Sequence, residues 1–383
     1  MIVANLVTVS PMRSAAENDP TVADRRTLVR WMSGRWEGGV DDALDAAELE
    51  SMKALAWSEG VAVLVGEQLA RSASVPAAVR QLCQDWTRGQ SAAELGRRAR
   101  LKAVLACLDR AGVEVLVLKG TALGHWLYPA PSMRESSDVD LLFADRAEAL
   151  RAAEALAPLG YTMPYQPARF RHELLCRSAD GTLDLDLHWD LSDWPVLAAL
   201  PDFAALHGAS IPLPGLGATA RGLGGAHALL HACVHRASNL SAAIGDRLKW
   251  LYDLHLLAAV LDEAGWAGFV RDAARAQACG ICAEGLAASA EWVATQVPAD
   301  VKRGLYECRA SEPLDASRLA DWRYVQRRNF EALPGWGDRL AWLWSRLLPS
   351  AGHMRELYGQ DHGRLALFGL RLRRAAARLP GRD

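Results

Sequence analysis

The sequence predicts an α+β fold in which a small mixed β-sheet core lies between helical regions at both ends of the chain. Apolar residues recur every three or four positions over 41–110 and over about 227–378, which is the periodicity of amphipathic helices. Between them, residues 115–191 contain short β-branched runs and strict apolar–polar alternation, which are typical of strands. We predict three parts: an N-terminal helical region (1–110), an α/β core (111–215) and a C-terminal helical domain (216–383).

Local patterns predict the individual elements. In the N-terminal region, Pro76 separates two helices and Gly112 ends the second. The apolar run from Val115 to Leu118 predicts a buried strand, and Gly120 follows it. Further along the core we predict a helix over 121–127, a strand over 138–143, a helix over 146–159 that ends at Gly160, and strands over 169–176 and 183–191.

Composition excludes several classes of protein. Of the 383 residues, 51% are hydrophobic and 23% are charged, a balance that excludes a disordered chain and a small disulfide scaffold. The formal net charge of −2 disfavours a protein whose main partner is nucleic acid. No run of about 18 uncharged apolar residues predicts a transmembrane helix, and no basic segment precedes the first apolar run as in a secretory signal.

The cysteines indicate a reducing compartment. There are seven, an odd number, and they are scattered along the chain, which favours free thiols and a cytoplasmic location. Cys279 and Cys282 form a CxxC pair, but no second pair lies nearby in sequence. We therefore expect them to be small buried residues of a helix rather than zinc ligands.

Two predicted strands carry acidic residues at alternate positions. Asp138 and Asp140 share one face of the earlier strand, with Cα atoms about 7 Å apart. In the later strand leucines line one face, and the other face carries Asp184, Asp186, His188 and Asp190. Such carboxylates repel one another unless cations or donors lie between them, and their oxygens are the ligands that Mg²⁺ prefers. The pattern favours a site for Mg²⁺ and phosphate over the alternative, a hairpin with a solvated polar face.

The turn after the first strand has the features of a phosphate-binding turn. Gly120 lets the backbone approach a ligand closely. Thr121 lies where the next helix begins, so that N–H groups and its hydroxyl can face a phosphate. Lys119 can supply a positive charge to the same group. An ordinary helix N-cap is the alternative explanation of the Gly-Thr pair.

Three motifs in this order resemble the polymerase-beta-type nucleotidyltransferase superfamily. They are L-K-G-T at 118–121, R-x-x-x-D-x-D-L-L at 134–142 and D-x-H-W at 186–189. More narrowly, the chain is similar to an uncharacterised bacterial nucleotidyltransferase family whose members also have a helical C-terminal half. The resemblance covers about Val115 to Trp189, and more loosely the segments 247–253 and 348–350. It implies a nucleotidyltransferase core and a nucleoside triphosphate substrate.

The resemblance also implies roles for individual residues. Residues 120–121 match the turn that contacts the triphosphate. Asp138 and Asp140 match two metal-binding acids, and Asp186 matches the third acid, a metal ligand and base, with Asp184 as the neighbouring alternative. The implied cofactor is Mg²⁺, bound as two ions, with Mn²⁺ as its alternative. Members of the family often lie beside genes for peptide natural products, which implies a tailoring role.

Four further residues are predicted to contact the nucleotide or the acceptor. Arg134 can clamp a phosphate through two guanidinium nitrogens, or neutralise the acids from the surface. His188 can hydrogen-bond a carboxylate, orient the substrate or accept a proton, and a structural histidine is the alternative. Arg247 and Lys249 belong to a helix predicted to close over the nucleotide, whereas a Lys249–Asp253 pair within that helix is the simpler interpretation.

A histidine stripe occupies the start of the C-terminal region. His227, His231 and His235 recur every four residues and therefore lie near one face of a helix. Zinc binding by one pair of them is one interpretation. We favour the other, in which the stripe faces the cleft or packs against the core.

The sequence therefore predicts a cytoplasmic, Mg²⁺-dependent nucleotidyltransferase. The enzyme would transfer a nucleoside monophosphate from a nucleoside triphosphate such as ATP to an unknown acceptor, a small molecule or a peptide, and release pyrophosphate. One alternative is a non-catalytic nucleotide- or peptide-binding protein that has kept the fold. The other is a kinase-like enzyme that releases a nucleoside diphosphate.

Overall fold

The computed structural model describes residues 20–33, 46–73, 75–165, 169–197, 199–347 and 369. Most of the N-terminal start, the 348–350 segment and the predicted helix up to residue 378 lie outside these ranges. All seven cysteines lie within them and are free thiols. No helix in the described ranges is both long and apolar enough to span a bilayer.

Helices account for the described part of the N-terminal region. They are α1 (Pro20–Met32), α2 (Ala46–Glu59), α3 (Ala62–Arg71) and α4 (Ala77–Arg110). Pro76 directly precedes α4, and Gly112 follows it with φ +64°, a conformation that glycine adopts without strain. Both predicted breaks are therefore confirmed.

A mixed seven-stranded sheet forms the core, as predicted. Its strands are β1 (Leu116–Val117), β2 (Val139–Leu142), β3 (Tyr161–Thr162), β4 (Glu173–Ser178), β5 (Leu185–His188), β6 (Ile211–Pro212) and β7 (Arg221–Gly222). Their order is β3-β4-β5-β2-β1-β7-β6, with β2–β5 and β1–β7 parallel and the other pairs antiparallel. The sheet continues past residue 215 because β7 pairs with β1. The domain boundary at that residue remains a prediction.

Helices cover both faces of the sheet. Within the core, α5 (Lys119–Trp126) follows β1, and α6 (Arg146–Leu156) ends in a 3-10 turn and Gly160, as the sequence predicts. On one face of the sheet, Val117 and Leu141 pack with α4 and α6. On the other face, Leu116 and Leu142 join a larger core with the N-terminal and C-terminal helices.

The C-terminal region is helical, as predicted. After α7 (Phe203–Gly208), which lies within the predicted core, its helices are α8 (Gly225–Ser241), α9 (Leu248–Ala259), α10 (Glu263–Arg275), α11 (Cys279–Val293), α12 (Ala299–Arg309), α13 (Trp322–Ala332) and α14 (Trp336–Leu347). The first of these long helices, α8 and α9, pack against each other and face the sheet through α5. This arrangement brings the histidine stripe of α8 towards the predicted site.

A buried ion pair joins the loop before β2 to α9. Arg134 donates from Nη2 to Asp253 Oδ2 at 2.7 Å and from Nε to Oδ1 at 2.8 Å, and the Tyr128 hydroxyl donates to Oδ1 at 2.8 Å. Only 6% of the Arg134 side chain and 5% of the Asp253 side chain are exposed. Burial opposes the charge on Arg134, but the Asp253 carboxylate outweighs it and raises the pKa of the guanidinium.

We expect Asp253→Asn to lower the free energy of unfolding by about 3–5 kcal/mol, because it leaves the buried guanidinium of Arg134 without a counter-charge. Urea denaturation measures this loss. Glu331→Gln is the control, since it removes the exposed ion pairs of Glu331 with Arg327 and Arg328. Equal losses in the two variants would show that the buried pair does not hold α9 in place.

Candidate active site on the acidic strands

Parallel pairing of β2 with β5 places two aspartates side by side. The register aligns Asp140 with Asp186 and Leu142 with His188. Neighbouring strands lie about 4.8 Å apart, so the two carboxylates share one face at close range. His188 follows Asp186 by two residues and therefore faces the same side. The structure thus brings together residues that are 46 positions apart in the sequence.

Asp140 is the centre of this group. The carboxylate is buried and accepts from Lys119 Nζ at 2.6 Å and from His188 Nε2 at 2.9 Å, both at Oδ1. Burial alone would raise the pKa of Asp140, but Lys119 and His188 outweigh it and hold the pKa below its usual range. Asp140 is therefore ionised throughout the neutral pH range.

Lys119 connects the acids to the start of α5. It has φ +49°, an uncommon conformation for a residue with a side chain. The backbone N–H of Leu118 donates to the Asp140 carbonyl at 2.9 Å, which fixes the turn to β2. Burial works against the charge of Lys119, but the Asp140 carboxylate raises its pKa overall. The turn predicted for phosphate binding thus lies directly beside the acids.

The surroundings of Asp186 favour its protonated form, in contrast to those of Asp140. Burial and the charges of Asp140 and Glu173 raise the pKa of Asp186 to about 7. Asp138 adds a smaller contribution of the same sign. Asp138 is half-buried at the start of β2, and Ser136 Oγ donates to its carbonyl at 2.9 Å. The three predicted metal-binding acids therefore lie close enough to repel one another.

The site contains a fourth carboxylate that our sequence analysis did not identify. Antiparallel pairing of β4 with β5 places Glu173 opposite His188, and His188 Nδ1 lies 3.6 Å from Glu173 Oε2. Arg171 forms an ion pair with Glu173. From the sequence, Glu173 can be recognised only through its alternation with Leu174 in the predicted strand. A single glutamate on a strand is also typical of a solvated face.

Asp184, the alternative to Asp186, lies at the outer end of this sheet face. Its carboxylate accepts from the Ser178 backbone N–H at 3.3 Å and lies 3.5 Å from Arg177 Nε. One third of its side chain is exposed. The geometry therefore favours Asp186, which is aligned with Asp140, as the third acid.

The histidine stripe divides into two parts. His231 is buried and His235 is half-buried, and both line a cavity together with Lys119, Arg134 and Trp250. Burial lowers the pKa of His231 well below its usual value and that of His235 to about 3, so both rings are neutral.

His227, the third residue of the stripe, contacts Asp272 of α10 at 3.3 Å. The stripe does not form a three-ligand metal group in the described part of the chain. Its other two members, His231 and His235, face the cavity that contains Lys119, in line with the interpretation that we favoured.

Arg134 and Gly120 are placed differently from the simplest sequence interpretation. The Arg134 guanidinium is bound to Asp253 rather than open to a ligand. A Cβ on Gly120 would lie 2.8 Å from Arg134 Nη1, so the absence of a side chain makes room for this buried arginine. Thr121 is buried in the first turn of α5.

Arg247 and Lys249 line a separate polar pocket with residues from the N-terminal helices. Lys249 does not form the predicted pair with Asp253, which is bound by Arg134 and Tyr128. The structure therefore brings the predicted site residues together in two groups. Lys119, Asp138, Asp140, Asp186 and His188 form one, and Arg247 with Lys249 forms the other.

The donor set of the acidic group fits a hard divalent cation. Asp138, Asp140, Glu173 and Asp186 supply four carboxylates, which is the chemistry that Mg²⁺ requires. The cations paired with them in the described chain are Lys119 on Asp140 and Arg171 on Glu173. Both donors to Asp140 use Oδ1, so Oδ2 has no hydrogen-bond partner among the described residues.

A second group of possible ligand atoms lies in the C-terminal helices. Cys279, Cys308 and Glu312 lie within 4.8 Å of one another through their ligand atoms. Glu312, however, accepts from the backbone N–H groups of Cys279 and Gly280, the latter at 2.8 Å, and so caps α11. Burial raises the pKa of Cys279, which favours the neutral thiol. Two of its three ligand atoms are soft sulfurs and its carboxylate caps a helix, so the acidic strands fit a hard divalent cation better.

Comparison with families of known proteins finds a match over most of the chain. A family model described as an uncharacterised nucleotidyltransferase matches residues 45–294. The match contains every strand of the sheet and the helices from α2 to α11. No curated protein and no solved structure matches the chain.

We expect Asp186→Asn to stabilise the protein in EDTA at pH 8 by about 1–3 kcal/mol, measured by urea denaturation. The folded state holds the Asp186 proton up to about pH 7, whereas the unfolded state releases it near the ordinary pKa of 3.8. Stability of the wild type therefore falls as pH rises through this interval. The advantage of the variant should shrink towards pH 5.

Asp180→Asn is the contrasting control on the adjacent turn. The Thr182 hydroxyl lowers the pKa of this exposed carboxyl. Removal of the Asp180 carboxylate should therefore reduce stability at neutral pH, which is the opposite of the effect expected for Asp186→Asn. A stability difference for Asp186→Asn that does not change with pH would contradict the claim that burial and neighbouring carboxylates raise the pKa of Asp186.

Proposed function

Since the chain belongs to the family of uncharacterised nucleotidyltransferases that its residues 45–294 match, we propose that this transferase is Mg²⁺-dependent. It would transfer a nucleoside monophosphate from a nucleoside triphosphate to an acceptor and release pyrophosphate. Enzymes of this kind generally use divalent metal ions. The acceptor, a small molecule or peptide in natural-product tailoring, is proposed from the sequence resemblance alone.

One observation carries this proposal: Asp140 and Asp186 are aligned on adjacent parallel strands, and Lys119 bridges Asp140 to the start of α5. Carboxylates that meet on neighbouring strands would hold divalent cations beside the triphosphate. Asp138, Asp140 and Asp186 are the proposed metal ligands. Glu173, opposite His188 on β4, adds negative charge to the same face.

The N-terminus of α5 is the proposed binding site for the triphosphate. Leu118 is the N-cap residue and offers no side-chain acceptor, so the first N–H groups of the helix can donate to a phosphate. Lys119 would exchange part of its contact with Asp140 for a phosphate oxygen. Gly120 and Thr121 would contribute backbone N–H groups.

The proposed chemistry is a displacement at phosphorus. The acceptor oxygen forms a bond to the α-phosphorus, and the bond from that phosphorus to the β-phosphate bridging oxygen breaks. Pyrophosphate leaves with the electron pair, and Asp186 takes the acceptor proton. Asp186 suits this role because it is aligned with Asp140 on the adjacent strand and makes no ion pair within the described residues. His188 orients Asp140 through Nε2. Magnesium, when bound, supplies positive charge that stabilises the triphosphate and activates the acceptor hydroxyl.

We expect Mg²⁺ with at least one ribonucleoside triphosphate to raise the thermal midpoint of the wild type by about 2 °C at tenfold excess over Kd. Asp138→Asn should abolish this rise. Asp138 is the preferred position because it is half-buried and its substitution should leave the fold intact. Asp109→Asn, at the exposed end of α4, is the control.

The product separates the proposal from its alternatives. Transfer of an α-phosphate label with pyrophosphate release supports it. Transfer of a γ-phosphate label with nucleoside diphosphate release would replace it with a kinase-like activity. An Mg²⁺-dependent rise that persists in Asp138→Asn would place the nucleotide elsewhere.

A further inference from the structure

A polar pocket lies where the N-terminal helices, the loop before β2 and the start of α9 meet. It has a volume of about 260 Å³, well above the ~30 Å³ that one water molecule takes. Trp57 and Gly60 form one wall and Arg97 of α4 another. Arg247 and Lys249 line the α9 side. The pocket is thus built from all three parts of the chain.

Two of its four cations are already neutralised. Arg134 is paired with Asp253. Arg97 lies 3.5 Å from Glu94 and also donates to the Ser136 carbonyl. These two arginines hold the walls of the pocket together, and their positive charges are largely neutralised by acids of the protein.

The acids that line the pocket are committed to other groups. Glu94 lies beside Arg97 and 3.6 Å from His125 Nε2. Glu135 accepts from the backbone N–H of Val63 at 3.0 Å, near the start of α3. Neither carboxylate lies within ion-pair distance of Arg247 or Lys249 in the described ranges, although the charge of Glu135 attracts Lys249.

Arg247 and Lys249 are the remaining cations. Within the described residues, neither has an ion pair, although Arg247 lies 5.6 Å from the centre of the Trp250 ring. The Lys249 stem crosses Gly60, where a Cβ would lie 2.3 Å from Lys249 Cδ, so the chain leaves room for this lysine. Burial and the charges of Arg134 and Arg247 lower the pKa of Lys249 to about 8. Two adjacent cations facing a polar cavity are typical of an anion site.

We propose that this pocket binds an oxyanion group, a phosphate or a carboxylate, of the acceptor. The proposal rests on the nucleotidyltransferase function, since it assigns a second substrate to the same cleft. It also gives the N-terminal helices a role as the acceptor platform.

The position of the pocket favours the acceptor over the nucleotide. Arg134 borders both this pocket and the cavity that contains Lys119 and His235, so it lies between the two spaces. Ser136, which lines the pocket, also donates to Asp138. An acceptor held by its anion at Arg247 and Lys249 can therefore extend past Ser136 towards the acids, while the triphosphate occupies the start of α5.

The test uses inorganic phosphate as the probe. The full chain is first saturated with Mg²⁺ and a nucleoside triphosphate analogue that cannot be cleaved between the α- and β-phosphates. Phosphate is then titrated while the thermal midpoint is followed. We expect a further, saturable rise in the wild type. Its apparent Kd should weaken at least tenfold in the double variant Arg247→Gln/Lys249→Gln, which loses two charge-assisted contacts.

The matched control removes the same two charges elsewhere. Lys302→Gln/Arg303→Gln lies on the exposed side of α12 and should keep the phosphate response. The nucleotide-induced rise should be the same in the pocket variant and in the wild type. A parallel titration with acetate identifies the group: a response to acetate indicates a carboxylate, and a response to phosphate alone indicates a phosphate.

Two results would overturn the proposal. Loss of the phosphate response on saturation with the nucleotide would assign Arg247 and Lys249 to the nucleotide. An unchanged phosphate response in the pocket variant would place the anion elsewhere. Absence of any nucleotide effect in the wild type, with the phosphate response intact, would instead contradict the proposed function and leave the anion pocket standing.

Discussion

The buried pair between Arg134 and Asp253 is the constraint on which the site depends. It joins the loop that leads into β2 to a helix 119 residues further along the chain. It also requires glycine at position 120, because the guanidinium fills the space that a Cβ would take. A sequence motif that resembles a phosphate clamp therefore has a structural role. It sets the position of the first turn of α5 relative to the acids and to α9.

The balance of charges on the adjacent strands is the physical basis for the cation proposed there. Lys119 and His188 compensate Asp140 strongly enough to lower its pKa, whereas Asp186, beside it, has its pKa raised to about 7. The surrounding charges therefore keep Asp140 ionised but do not compensate a negative charge on Asp186. A divalent cation would remove that imbalance. The neutral His231 and His235 close the cavity without adding charge.

Much of the fold could be predicted from sequence because its signals are local. Strand alternation placed Asp138 with Asp140 on one strand face and Asp186 with His188 on another, and the break at Gly112 ended α4 as expected. The two-residue strands β3, β6 and β7 carry no periodicity and were not predicted. Strand register and the partner of Arg134 are long-range properties. The spacing of residues along the sequence does not indicate that β2 pairs in parallel with β5 or that Glu173 joins the acids. Nor does it indicate that Arg134 pairs with an aspartate in α9.

The most direct test of the account is the number of Mn²⁺ ions bound in the presence of a non-cleavable nucleoside triphosphate, measured by electron paramagnetic resonance. Manganese replaces magnesium with the same preference for oxygen ligands. We expect the wild type to bind two ions with the nucleotide and Asp138→Asn to lose at least one, while the folded fraction remains the same by circular dichroism. Equal Mn²⁺ binding by the folded variant and the wild type would show that the acidic strands do not hold the metal.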